Sequence, residues 1–273
     1  MSAIVELNDV WKAYGEVQAL RGLNLEVLKG EMFGLVGPNG AGKTTALKIL
    51  VGLLRMDKGL VKVNGYDTAQ QPYEYKRFIG YVPEAVSLPD YLTVEEFLNY
   101  SGRIRSVPNA SIRERTDFYL KTFDLEDKQN SLILLLSRGM KQKTAMASAL
   151  IHDPDLLILD EPLIGIDPTG QHKIKELFNT RIEENKAVFI STHMLDTAER
   201  MCDRVAIIHN GRNVASGDLA HLQSLSETGE HATLEEVFLK LIKETEEESA
   251  RRQIEEPQKK PRRGFSGLFR RSR

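Results

Sequence analysis

Apolar residues recur along the first third of the chain in runs of strand length: Ile4 to Leu7, Leu23 to Val27, Met32 to Val36 and Leu60 to Val63. A Lys29-Gly30 turn follows the second run and Asn64-Gly65 closes the last, a hairpin signal because both residues tolerate positive φ. The pattern predicts an N-terminal antiparallel β subdomain. From about 88 to 150 the spacing becomes helical. Thr93 with Glu96 and Ser111 with Glu114 have capping-box spacing, and Val94, Phe97 and Leu98 follow the first at helix period. We expect an inserted α-helical subdomain there. Strands return as Leu156 to Leu159 and Val188 to Ile190, unbroken and apolar, as suits the middle of a parallel sheet with helices on both faces. A second Asn-Gly hairpin follows at Asn210-Gly211. A last helix starts at Thr233 with Glu236 as its capping partner and Leu234, Val237, Phe238 and Leu241 on one face. The fold class is α/β with a mostly parallel sheet, and there is no internal repeat.

Composition narrows the class without naming a function. A chain of 273 residues buries about three quarters of the surface its unfolded form exposes, so it needs no disulfide or metal to build a core. Hydrophobic residues at 41% and charged residues at 28% exclude a natively disordered chain, and no apolar run approaches the ~18 residues of a membrane span. The start lacks a basic and then apolar leader, and Cys202, the one cysteine, has no internal disulfide partner. A reducing cytoplasm is the expected compartment. The net charge of −2 hides an uneven distribution: residues 259–273 carry seven Lys or Arg and no acid, leaving 30 basic and 39 acidic residues before them. Residues 244–258 are rich in Glu without apolar spacing. We expect everything after 243 to be a charged, disordered appendage.

Residues Gly37, Pro38, Asn39, Gly40, Ala41, Gly42, Lys43 and Thr44 match G-x-x-x-x-G-K-[ST], between an apolar strand and the helix-spaced Ala46, Leu47, Ile49 and Leu50. Glycines let the backbone curl so that its N–H groups point inward, and the helix N-terminus adds partial positive charge. Lys43 reaches β and γ phosphates and Thr44 holds Mg²⁺. A chance glycine-rich turn would not need a strand before it and a helix after it. The strand Leu156 to Leu159 ends in Asp160-Glu161, where a metal partner (Asp160) and a carboxylate orienting water (Glu161) belong. The bland alternative, a solvated acidic turn, loses weight beside a phosphate loop.

Set in order, these pieces resemble an ATP-binding cassette ATPase, the nucleotide-binding subunit of an ABC transporter, over about residues 3–241. Tyr14 resembles the aromatic that stacks on adenine, and GPNGAGKTT (37–45, ending in Thr45) the Walker A. YVPE (81–84) lies at the Q-loop position, LSRGM (136–140) resembles the signature, and LLILDEP (156–162) the Walker B. GID (165–167) and STH (191–193) look like the D-loop and the switch histidine, His193. The resemblance implies a P-loop core over residues 1–243, ATP and Mg²⁺ as ligands, Glu161 and His193 as catalytic groups, and Thr44, Glu84 and Asp160 around the metal. Ser137 and Gly139 would contact the phosphates bound by a second copy. Ser137 also has a reason of its own, since it can cap a helix beginning at Gly139.

Two residues depart from the family pattern. Glu84 stands where Gln is usual, adding a negative charge near Mg²⁺, and the signature has Arg138 and Met140 where Gly and Gln are common. Such variants occur in exporter subfamilies, so the resemblance points to export. It implies a homodimer closed by ATP, gripping two transmembrane permease subunits through the surface around Glu84 and the helical insert, on the cytoplasmic face of the membrane. An alternative is a soluble cassette ATPase working on nucleic acid or ribosomes. Those proteins commonly carry two cassettes or a long coiled-coil insert, and this chain has neither; a P-loop small-molecule kinase would leave LSRGM and STH without a role. The terminal PRRGFSGLFRRSR interleaves Phe265, Leu268 and Phe269 with Arg. Contact with an anionic membrane, at about 1 kcal/mol per basic residue, stands beside a plain solvated terminus.

Overall fold

The computed structural model describes residues 2–226 and 231–255, with residues 248–255 described by their backbone path. Strands β1 (Ala3–Tyr14) and β2 (Val17–Leu28) pair as a long antiparallel hairpin. β3 (Met32–Val36) leaves that sheet and runs into α1 (Lys43–Leu50), after which β4 (Lys58–Val63) returns to pair with β1 and with the short β5 (Tyr66–Asp67). The antiparallel sheet therefore has the order β2-β1-β4-β5. Asn64 and Gly65 take the positive φ values of 48° and 82° that the turn between β4 and β5 requires.

The second sheet is built from β3, β6 (Ile79–Val82), β7 (Leu156–Asp160), β8 (Ala187–Thr192), β9 (Arg204–His209) and β10 (Arg212–Gly217), in the order β10-β9-β3-β8-β7-β6. All neighbours are parallel except β10, which hairpins onto β9 through Asn210-Gly211. β3, β7 and β8 are buried at every position, which is why they read as unbroken apolar runs. Alternation divides their side chains between two cores. Phe33, Leu35, Ile158 and Phe189 face the antiparallel sheet and α1, with Phe33 and Phe189 packed edge to face at 5.5 Å. Met32, Leu157, Leu159, Val188 and Ile190 face the other side.

That second core is closed by α2 (Val94–Ile104), α3 (Asn109–Thr122) and α4 (Arg138–Leu150), all inserted between β6 and β7, together with α5 (Pro168–Glu183). Thr93 and Glu96 form the expected reciprocal capping box on α2. Ser111 does not cap a helix. α3 already begins at Asn109, with Ile112 N–H bonded to the Pro108 carbonyl, so Ser111 and Glu114 lie inside it. A third core lies under α6 (Leu195–Met201), α7 (Leu219–Ser226) and α8 (Leu234–Glu255), where Leu234, Val237 and Leu241 pack on Val205 and Ile207. α8 passes residue 243 without a break and runs to Glu255, so the expected boundary falls inside a helix. The basic segment after 258, with its expected membrane contact, lies outside the described residues. No described helix is long and apolar enough to cross a membrane.

Candidate active site

The carboxyl ends of β3, β7 and β8 converge on one edge of the parallel sheet, the position where open α/β sheets hold their ligands. Residues 37–42 carry the chain from β3 into α1. Gly40 and Gly42 take φ of 81° and 109°, and no side chain caps α1, so its leading N–H groups remain open to an anion. The backbone of β9 presses on Gly37, where a Cβ would collide with the Ile208 carbonyl oxygen. Lys43 folds back over the loop, donating from Nζ to the carbonyl oxygens of Gly37 at 2.7 Å and Pro38 at 3.3 Å. Burial pulls its ammonium below the usual lysine range, while the carboxylates of Glu161, Asp160 and Glu84 act in the opposite direction.

Asp160 is 1% exposed. It accepts from Thr44 Oγ1 at 2.9 Å on Oδ2 and from the Ser191 hydroxyl on Oδ1, and among the described residues no cation pairs with it. A buried carboxylate served only by neutral hydroxyls, one of them at the helix start, suits a hard divalent cation. The next residue, Glu161, is buried in a left-handed backbone conformation, φ 49°. Its N–H donates to the Ser191 carbonyl at 2.9 Å. Its Oε1 accepts from the His193 N–H at 2.9 Å and from His193 Nδ1 at 2.7 Å, and its Oε2 from Thr192 Oγ1 at 2.9 Å.

These groups surround a cavity of about 350 Å³. Its walls bring together Pro38, Asn39, Gly40, Gly42, Lys43, Thr44, Thr45, Glu84, Asp160 and Glu161, with Ala19 of β2. Gly37 and Ala41 are buried behind the loop, and His193 reaches the site through Glu161. Tyr14 stands outside the cavity at the end of β1, half exposed, with the Lys12 ammonium 6.0 Å from its ring centre. Ser137 and Gly139 do not line the cavity either. They open α4, which starts one residue earlier than expected, at Arg138; Ser137 Oγ accepts from Met140 N–H at 3.3 Å. A Cβ on Gly139 would lie 2.6 Å from the Gly165 carbonyl oxygen, so the signature turn and residues 165–167 are packed backbone to backbone. Two hydroxyls of the site, Ser191 and Thr192, entered the sequence reading only as part of STH (191–193), without a role of their own. Their signal is position: both stand between the apolar Val188 to Ile190 and His193.

Residues 20–164 match the family model described as ABC transporter. The chain belongs to the ABC transporter family. A Nod factor export ATP-binding protein I of Ralstonia nicotianae is 37% identical over 214 residues, spanning 78% of this chain and 67% of that protein. The ABC transporter ATP-binding protein NatA of Bacillus subtilis is 37% identical over 229 residues, 83% of this chain and 92% of its own. Among solved structures, an ATP-binding subunit of an ABC transporter superposes with a TM-score of 0.83 at 35% identity, covering 88% of this chain and 99% of that one. A dimeric, post-hydrolysis ATP-binding cassette bound to ADP and Pi gives 0.72 at 28%, covering 79% and 98%. As a member of the ABC transporter family the chain is an ATPase with the P-loop fold, working on ATP with Mg²⁺.

Proposed function

We propose that this ABC transporter ATPase drives export through separate membrane subunits, and that the residues around the cavity divide the work as follows. Tyr14 stacks on the adenine. The backbone of 37–45 and the N-terminus of α1 hold the phosphates, with Lys43 turning from the Gly37 and Pro38 carbonyls to the β and γ oxygens. Thr44, Asp160 and Glu84 hold Mg²⁺, which when bound neutralises charge developing on the transferred phosphoryl group. Glu161 orients and polarises the attacking water, and His193 donates to the γ phosphate. The observation that carries this reading is the shared wall: Lys43, Thr44, Asp160 and Glu161 face one cavity at the carboxyl edge of the sheet.

Ser137 and Gly139 lie outside that cavity, and this supports a site completed by a second copy whose signature turn meets the phosphates held by the first. The dimeric relative bound to ADP and Pi agrees with such an arrangement. ATP favours the closed pair only in so far as it binds that state more tightly than the open one. Relatives named as Nod factor export proteins support the export direction, and two permease subunits would dock around Glu84 and the helical insert. The chain then works at the cytoplasmic membrane face, with residues 1–243 as the ATPase domain and the basic end free to touch anionic lipid. Purification of the tagged chain from its host, with identification of what accompanies it, tests the assignment. An integral membrane protein in stoichiometric amount is expected; recovery of ribosomes or RNA instead would overturn it.

A further inference from the structure

We infer that Thr192 is a positioning residue for ATP hydrolysis, anchoring one carboxylate oxygen of Glu161 so that the other is presented to the cavity; the inference rests on Glu161 as the group that polarises the attacking water. Thr192 is 3% exposed, and its hydroxyl accepts from the Met194 N–H at 3.0 Å. That bond fixes the direction of its own proton, which points to Glu161 Oε2 at 2.9 Å. His193 holds the other oxygen, Oε1, through both its N–H and its ring. The two anchors therefore do not compete. If the His193 ring turns away toward a bound phosphate, Oε1 keeps only the His193 backbone N–H and regains a lone pair for water, while Oε2 stays fixed by Thr192, so the carboxylate keeps its plane and its reach.

The arrangement is paired along the strand. β7 and β8 run parallel with Asp160 opposite Ser191. Ser191 and Thr192 thus each serve one of the two adjacent acids at the end of β7, Asp160 and Glu161. Glu161 also has a left-handed backbone that a Glu does not favour, which persists only where its surroundings hold it; here the Ser191 carbonyl takes its N–H, and Thr192 and His193 hold its carboxylate.

Thr192→Val keeps the branched shape of the strand residue and removes only the hydroxyl. In the full-length chain we expect kcat for ATP to fall about tenfold, within the ~10²-fold that a 1 Å misplacement can cost, with KM and ATP affinity by fluorescence titration changed less than about twofold. Thr192→Ser restores the hydroxyl and should restore kcat to within about twofold. In a Glu161→Gln background, Thr192→Val should cause no further loss, because Thr192 acts through the carboxylate. Should the Val variant fail to fold, Thr192→Ala carries the same expectation. Unmodified kcat in the Val or Ala variant, or a Ser variant as slow as Val, would overturn the inference. If Glu161→Gln is itself fully active, the reading of Glu161 falls first; if that variant is inactive while Thr192→Val is not, the positioning role alone is lost.

Discussion

A methyl group on Gly42 would lie 2.7 Å from the carbonyl oxygen of Ala19 and 2.8 Å from Leu20 Cδ2. The phosphate loop is thus pressed from below by β2 at the point where it must turn into α1 with φ of 109°. Gly42→Ala meets both obstacles at once. The strained backbone alone costs about 1 to 3 kcal/mol, and relief of the clash would push the leading N–H groups of α1 out of line. The variant should melt at lower temperature and bind ATP more weakly; unchanged melting and affinity would show that the loop has room to give.

Lys43→Ala should abolish measurable ATP binding while the chain stays folded. It removes charge-assisted hydrogen bonds worth about 1.5 to 3 kcal/mol and leaves phosphate charge uncompensated beside Asp160 and Glu161. Equilibrium titration with ATP checks this, and undiminished affinity would contradict the cradle.

The loop after β3 and the placement of Asp160 and Glu161 beside it were readable because each follows an apolar strand at a fixed spacing, and β3, β7 and β8 because burial on both faces leaves them no polar position. The two Asn-Gly turns and the Thr93 box depend on local geometry that a few adjacent residues decide. Thr192 was not readable. Its role depends on β8 lying beside β7 in register, a long-range fact that neither strand contains. The continuation of α8 past 243 was missed because apolar periodicity ends there; Glu, Ala, Arg and Gln still favour helix in solvent, and the turn carrying Glu246 meets His209 instead of a core. Ser111 misled because its spacing to Glu114 is satisfied inside a helix that had already started at Asn109.

The end of α8 yields a graded truncation. Glu246 Oε1 lies 3.3 Å from Nε2 of His209, the residue before the turn whose Gly211 N–H bonds to the Ala41 carbonyl in the phosphate loop. A chain ending at 255 should melt with the full-length protein. One ending at 243 loses this contact, worth at most about 1 kcal/mol for so exposed a carboxylate, together with about three turns of α8, and should melt a few degrees lower with its ATPase activity kept. Loss of activity at 243 would show that the ATPase domain extends further.

His152 makes stability depend on pH. Its Nε2–H donates to the Ile79 carbonyl oxygen at 3.0 Å, while Nδ1 is buried without a partner among the described residues. Burial, reinforced by the charges of Arg105 and Arg181 and opposed by the Ile79 bond and Asp153, holds its pKa down to about 4. The unfolded chain takes up this proton below about pH 6.5 and the folded chain does not. Stability is therefore intact above 6.5 and falls as pH drops toward 4, by at most about 1.4 kcal/mol per unit. His152→Gln keeps a donor for Ile79 and removes the titration, so denaturant melts between pH 7.5 and 5.0 should show a shallower decline. An unchanged slope would place the acid sensitivity elsewhere.

Glu161→Gln should separate binding from hydrolysis. The amide keeps the length of the side chain and still accepts from Thr192 or His193, but it no longer polarises water, a contribution of about 10²- to 10⁴-fold. Lys43, Thr44 and the open N-terminus of α1 are untouched, so ATP still binds. With phosphate loops and signature turns intact and the nucleotide no longer consumed, the closed pair should persist, and size-exclusion chromatography with ATP and Mg²⁺ should show a dimer that the unmodified chain populates only briefly. Ser137→Arg added to the same chain should dissolve that dimer, because bulk and charge at the start of α4 would block the approach of the opposing phosphates. A Glu161→Gln protein that stays monomeric at every ATP concentration while binding ATP would contradict a site shared between two copies. One that hydrolyses ATP at the unmodified rate would remove Glu161 from the chemistry.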